Sequence, residues 1–107
     1  MEIKNFDSLK YWQVLGENVG GWIFIVCPIM NKPIKEFRVK RGIYKELLNL
    51  EKMVVSKGLR GWVGYTRLDN AHIMRMFAKL NAIPFFVDLK KDRLWFKKKL
   101  GVENGNI

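Results

Sequence analysis

The sequence has one cysteine, one histidine and three prolines among 107 residues, and half as many acidic as basic side chains. One cysteine excludes an intramolecular disulfide, and one Cys with one His cannot assemble a zinc site. Few prolines, with 49% hydrophobic and 13% aromatic residues, exclude a disordered chain. The best membrane candidate, Trp22-Ile23-Phe24-Ile25-Val26-Cys27, is broken by Pro28 and falls well short of the ~20 residues a span needs. Cys27 in that run reads as a small buried hydrophobe rather than a nucleophile. Met1-Glu2-Ile3-Lys4-Asn5 lacks the apolar region of a signal peptide, so a cytoplasmic location, of a cell or of an infected host, is expected. The length suits a single core and no second one.

The shortage of acid leaves a net charge of +10, unevenly placed. Residues 1–30 carry two lysines against three acids, whereas Asn31 to Lys45 carry six basic residues against Glu36 alone. A second basic cluster comprises Lys90, Lys91, Arg93, Lys97, Lys98 and Lys99. Such a field attracts nucleic acid, phosphorylated cofactors, acidic protein surfaces or anionic lipid, and charge alone does not choose among them.

Hydrophobic patterning supplies the element order. Tyr11–Leu15 and the apolar run from Trp22 flank the turn-rich Gly16–Gly21 and predict a hairpin. After the turn Asn31-Lys32-Pro33, Ile34–Val39 alternates as a third strand. Ile43, Leu47, Leu50 and Val54 then repeat at helical spacing, with Gly58 placed to end that helix. Gly61–Tyr65 reads as a strand, expected to pair in parallel with Ile34–Val39 in a βαβ unit. Asp69 or Asn70 caps a second helix carrying Ile73, Met74, Phe77 and Leu80, which Asn81 can end in the left-handed conformation. Phe85–Leu89 and Leu94–Phe96 form a last hairpin around Lys90-Lys91-Asp92, and a flexible tail is expected from about residue 101. The fold class is therefore mixed α/β (α+β), in the order β-β-β-α-β-α-β-β.

From about Ile34 to Lys99 the chain resembles the GNAT superfamily of acetyl-CoA-dependent N-acetyltransferases. Three stretches carry the likeness: Val39-Lys40-Arg41-Gly42-Ile43-Tyr44 followed by Leu47-Leu48; Gly58-Leu59-Arg60 ahead of a strand; and Asn70 opening a helix that holds Met76-Phe77-Ala78-Lys79-Leu80-Asn81. The resemblance implies a GNAT-like mixed sheet, with the N-terminal helices that form the acceptor wall reduced or absent. It also implies acetyl-CoA as cofactor, its pyrophosphate at the N-terminus of the first helix, where orphan N–H groups and the helix dipole favour phosphate. Arg38, Val39, Lys40, Arg41, Gly42, Ile43, Tyr44 and Asn70 are the cofactor-binding candidates, and Glu36 the candidate base for an acceptor amine.

The chain departs from the family pattern where chemistry depends on it. Of the loop signature Gln/Arg-x-x-Gly-x-Gly/Ala only Gly42 remains, with Val39 and Tyr44 at the other positions. Phe77 stands where many members carry a proton-donating Tyr, and phenylalanine has no proton to give. Each candidate also has a structural role open to it: Gly42 in a strand-to-helix turn, Glu36 in relieving repulsion between Lys35 and Arg38, Asn70 as a helix cap. His72 reads as solvated or partly packed, and Trp62, Trp95, Phe85 and Phe86 as core or as a stacking platform for bases. Two functions follow: an N-acyltransferase using acetyl-CoA and an amine acceptor, or a non-catalytic GNAT-like protein binding nucleic acid or another anionic partner. The compact, motif-degenerate form of the latter suits a phage or mobile element.

Overall fold

The computed structural model describes residues 6–18, 20–28 and 41–101. Five strands form one mixed sheet: β1 (Gln13–Glu17), β2 (Trp22–Val26), β3 (Gly61–Arg67), β4 (Ile83–Asp88) and β5 (Arg93–Lys99), in the spatial order β1-β2-β3-β5-β4. Two helices, α1 (Arg41–Ser56) and α2 (Ala71–Lys79), make the crossovers from β2 to β3 and from β3 to β4. The β2–β3 pair is parallel and every other pair is antiparallel. The mixed α/β class is as expected. No helix among the described residues is long and apolar enough to cross a membrane.

The parallel partner of Gly61–Tyr65 is Trp22–Val26, in the register Trp22↔Gly61 to Ile25↔Gly64, and not Ile34–Val39. Both edges of β3 are occupied, by β2 on one side and β5 on the other, so no third strand can pair with it. Alternation in Ile34–Val39 can signal a strand but carries no information about its neighbour. The segment itself lies outside the described residues, as do residues 102–107 of the expected tail.

Both helices end as their sequences dictate. Gly58 (φ 73°) and Asn81 (φ 63°) adopt the left-handed conformation. The N–H groups of Gly58 and Leu59 donate to Val55 and Val54, and those of Asn81 and Ala82 to Ala78 and Phe77. Each set is a Schellman closure that satisfies carbonyls otherwise left bare at a helix end. Asn70 caps α2 at its start, its side chain accepting the N–H of Ile73 at 3.1 Å.

Directly paired residues share a sheet face, so register sorts the strands' side chains. Ile23, Ile25, Trp62 and Phe96 point to one face and pack with Ile43, Leu47, Leu50, Ile73 and Phe77 of the two helices. Phe77 is fully buried, its ring centroid 5.2 Å from that of Trp62, 4.9 Å from Phe96 and 6.2 Å from Trp12. Burial of each such side chain contributes roughly 1.5–3 kcal/mol. The opposite face carries Trp22, Phe24, Tyr65 and Trp95, and no described helix packs on it.

Two buried carboxylates tie α1 to its surroundings. Glu46 accepts the backbone N–H groups of Lys10 (2.7 Å), Tyr11 (2.7 Å) and Trp12 (2.8 Å). Glu51 accepts the indole N–H of Trp62 at 2.8 Å and the ammonium of Lys98 at 2.9 Å. Charge-assisted bonds of this kind offset the desolvation of each acid.

Candidate functional site

Strands β2 and β3 run parallel, and β4 runs with them because both β3 and β4 oppose β5. The carboxyl ends of all three therefore meet at one end of the sheet, where the N-termini of both helices also lie. In open α/β sheets this is where ligands bind, and the start of α1 is where the resemblance leads one to expect a cofactor site.

The first turn of α1 is braced from the N-terminal side of the molecule. Besides the Glu46 clamp, the indole N–H of Trp12 donates to the Ile43 carbonyl at 2.9 Å. The ring of Tyr11 lies against Gly42, so close that a Cβ there would come within 2.5 Å of Tyr11 Cε2. A close approach of side chain to backbone accounts for this glycine. Ile43 is buried in the core, whereas Tyr44 is 39% exposed. Arg41 opens the helix. Glu36, Arg38, Val39 and Lys40 lie outside the described residues.

Ile43 and Tyr44 form one wall of a cleft of about 430 Å³, and the other wall is α2, through His72, Ile73, Arg75, Met76 and Lys79. Residues three, four and seven apart share one side of a helix, which gathers His72, Arg75, Met76 and Lys79 along the cleft. Its floor is apolar (Ile43, Ile73, Met76), while the exposed Tyr44, His72, Arg75 and Lys79 form a rim with no acidic member among the described residues. An elongated ligand with an apolar arm and an anionic end matches that distribution. Sequence reasoning had Ile43 and Tyr44 but did not single out Arg75, Met76 and Lys79; it read His72 as solvated or partly packed, and His72 is indeed exposed. The readable signal was a polar stripe beside the apolar one on α2; what it faced was not readable.

Asn70 lies at the same end, 1% exposed, with its Oδ1 used in the cap. Among the described residues its Nδ2 has no hydrogen-bond partner, and neither has the Oγ1 of the fully buried Thr66 near the end of β3. Buried groups of this kind ordinarily hold a water or a ligand atom. Nearby, Arg67 grips Asp69 in a two-pronged bond of 2.9 and 3.1 Å. That bond to the guanidinium lowers the Asp69 carboxyl below its ordinary range.

A larger, shallow depression of about 980 Å³ runs along α1 past Lys45, Glu51, Lys52 and Ser56 to Leu100. It gathers charges of both signs and none of the candidate residues, so it is the weaker site. Among the described residues no group of three or more His, Cys, Asp or Glu could hold a metal ion. No protein-family model matches the chain, and no curated protein or solved structure matches it either.

Proposed function

We propose that this chain is a GNAT-like domain that binds an acyl-CoA in the cleft between α1 and α2. The carrying observation is the cleft itself: an apolar floor of Ile43, Ile73 and Met76 under a basic rim of His72, Arg75 and Lys79, beside the helix start that the family likeness selects. The sheet order, with one parallel pair and both crossover helices on one face, accords with that likeness. Acetyl-CoA supplies an acyl group activated as a thioester. In this reading the rim holds its phosphates as charge-assisted contacts, and the floor takes the apolar part of the pantetheine arm.

Proton transfer has little support among the described side chains. Phe77, at the position of the family's proton donor, is fully enclosed by Trp12, Trp62 and Phe96 and carries no acidic hydrogen. Transfer to an amine therefore rests on positioning, which can supply much of a rate enhancement by itself. Among the described residues only the short 3-10 helix Phe6–Ser8 precedes the sheet. Calorimetric titration with CoA and acetyl-CoA tests the proposal. Saturable binding is expected, weakened about tenfold or more by Arg75→Ala combined with Lys79→Ala at an unchanged thermal midpoint. Absence of binding at about 1 mM ligand, a free energy near 4 kcal/mol, overturns it.

A further inference from the structure

The sheet face on which no described helix packs has an order of its own. Cross-strand pairing sets Phe86 opposite Trp95 and Trp95 opposite Tyr65, so three aromatic rings form one row across β4, β5 and β3. The Tyr65 and Trp95 ring centroids are 4.9 Å apart. One step along the strands on one side lies the row Asp88–Arg93–Arg67; on the other side lies Ile83–Lys97–Val63, continued by Phe24 of β2. The Arg93 guanidinium sits 4.1 Å from the centroid of Tyr65, and the Lys97 ammonium 5.6 Å from that of Phe85. A ribbon of rings is thus flanked on both sides by cations.

The rings on β4 are accessible: Phe85 is 50% and Phe86 55% exposed. A bulge between Pro84 and Phe86 interrupts the alternation of the strand and brings both rings to this face. Of the acids nearby, Asp69 is bound by Arg67, Asp92 also acts on that guanidinium, and Asp88 stands opposite Arg93, which leaves Lys97 beside no acid in its row. Addition of a further strand to β4 is disfavoured, since proline and a bulge are devices that blunt an edge. The patch is built for contact across its face.

We infer that this face binds single-stranded nucleic acid, its bases stacked on Phe86, Phe85 and Trp95 and its phosphates held by Lys97 and Arg93. Stacking recognises any base, because each has a π-face, and cations beside the rings track the backbone. A duplex hides those π-faces, so it satisfies the charges alone. An acidic protein surface would likewise leave the rings without their complement. The net charge of +10 supplies long-range attraction for the same partner and opposes self-association. The site lies on the sheet face opposite the α1–α2 cleft and does not depend on the acyl-CoA reading.

Fluorescence anisotropy with a labelled single strand of about 15 nucleotides, and with the matching duplex, tests the inference. The expected result is a preference for the single strand. Phe85→Ala with Phe86→Ala should weaken binding at least tenfold with the salt slope unchanged. Lys97→Gln should weaken it and flatten the slope of log K against log salt by about 1. All variants should keep the thermal midpoint and, where it occurs, CoA binding. Equal affinity for duplex and single strand, or aromatic variants that bind as well as the parent, would overturn the proposal. So would sedimentation showing a dimer that the aromatic variants dissociate, together with no binding of the single strand.

Discussion

At the scale of the residue, Gly42 illustrates how one position can satisfy two readings. The sequence shows a glycine next to Lys40 and Arg41 at the head of a helix, which is what a phosphate loop offers. The structure adds Tyr11, a distant residue whose ring occupies the space where a Cβ would be. Gly42→Ala is expected to destabilise by about 1–3 kcal/mol through overpacking. If packing is the reason, Tyr11→Leu should relieve most of that loss in a double-mutant cycle measured by urea denaturation. If the glycine serves a phosphate, Gly42→Ala will lower CoA affinity and Tyr11→Leu will not restore it. Asn70 was legible as a cap because its role is local, three residues from the N–H it accepts. The place of Arg75 and Lys79 on the cleft was not, because it depends on Ile43 and Tyr44 of another helix.

At the scale of the element, helix ends and the existence of the five described strands were legible, and strand neighbours were not. Gly58 and Asn81 close their helices through bonds that span only a few residues. The partner of β3 was misread because two upstream runs, Trp22–Val26 and Ile34–Val39, both have strand character, and pairing is settled by contacts remote in sequence. The same applies to the brace between the first turn of α1 and residues 10–12, which rests on Glu46. Glu46 in sequence is one acid on an amphipathic helix; in the fold it is 6% exposed and holds three backbone N–H groups. Glu46→Ala strips those donors of their acceptor and is expected to cost about 3 kcal/mol or more. Glu46→Gln, which keeps an oxygen that can accept, should cost less. Chemical denaturation of both variants checks the order, and hydrogen exchange at Tyr11 and Trp12 should rise first in Glu46→Ala.

At the scale of the whole molecule, the composition was the most informative part of the sequence. A net charge of +10 on one small core repels itself, so screening should help the folded state. Raising sodium chloride from about 20 to about 200 mM, which shortens the Debye length to below 10 Å, is expected to raise the thermal midpoint. A fall would mean that the attractive pairs Glu51–Lys98 and Arg67–Asp69 outweigh the repulsion. Composition named anions as partners without locating them. The fold separates two basic surfaces by one sheet: the rim of the helix cleft, and the ring-bearing face behind it.

The strand order also has a consequence for how the chain comes off the ribosome. β5 is synthesised after β4, yet it lies between β4 and β3. Until Arg93–Lys99 emerges, β4 has no neighbour in the sheet and one edge of β3 stays bare. Because β4 and β5 pair with each other as a hairpin, the two can reach that bare edge as a unit once Arg93–Lys99 has emerged, so the sheet is completed by hairpin docking rather than strand by strand.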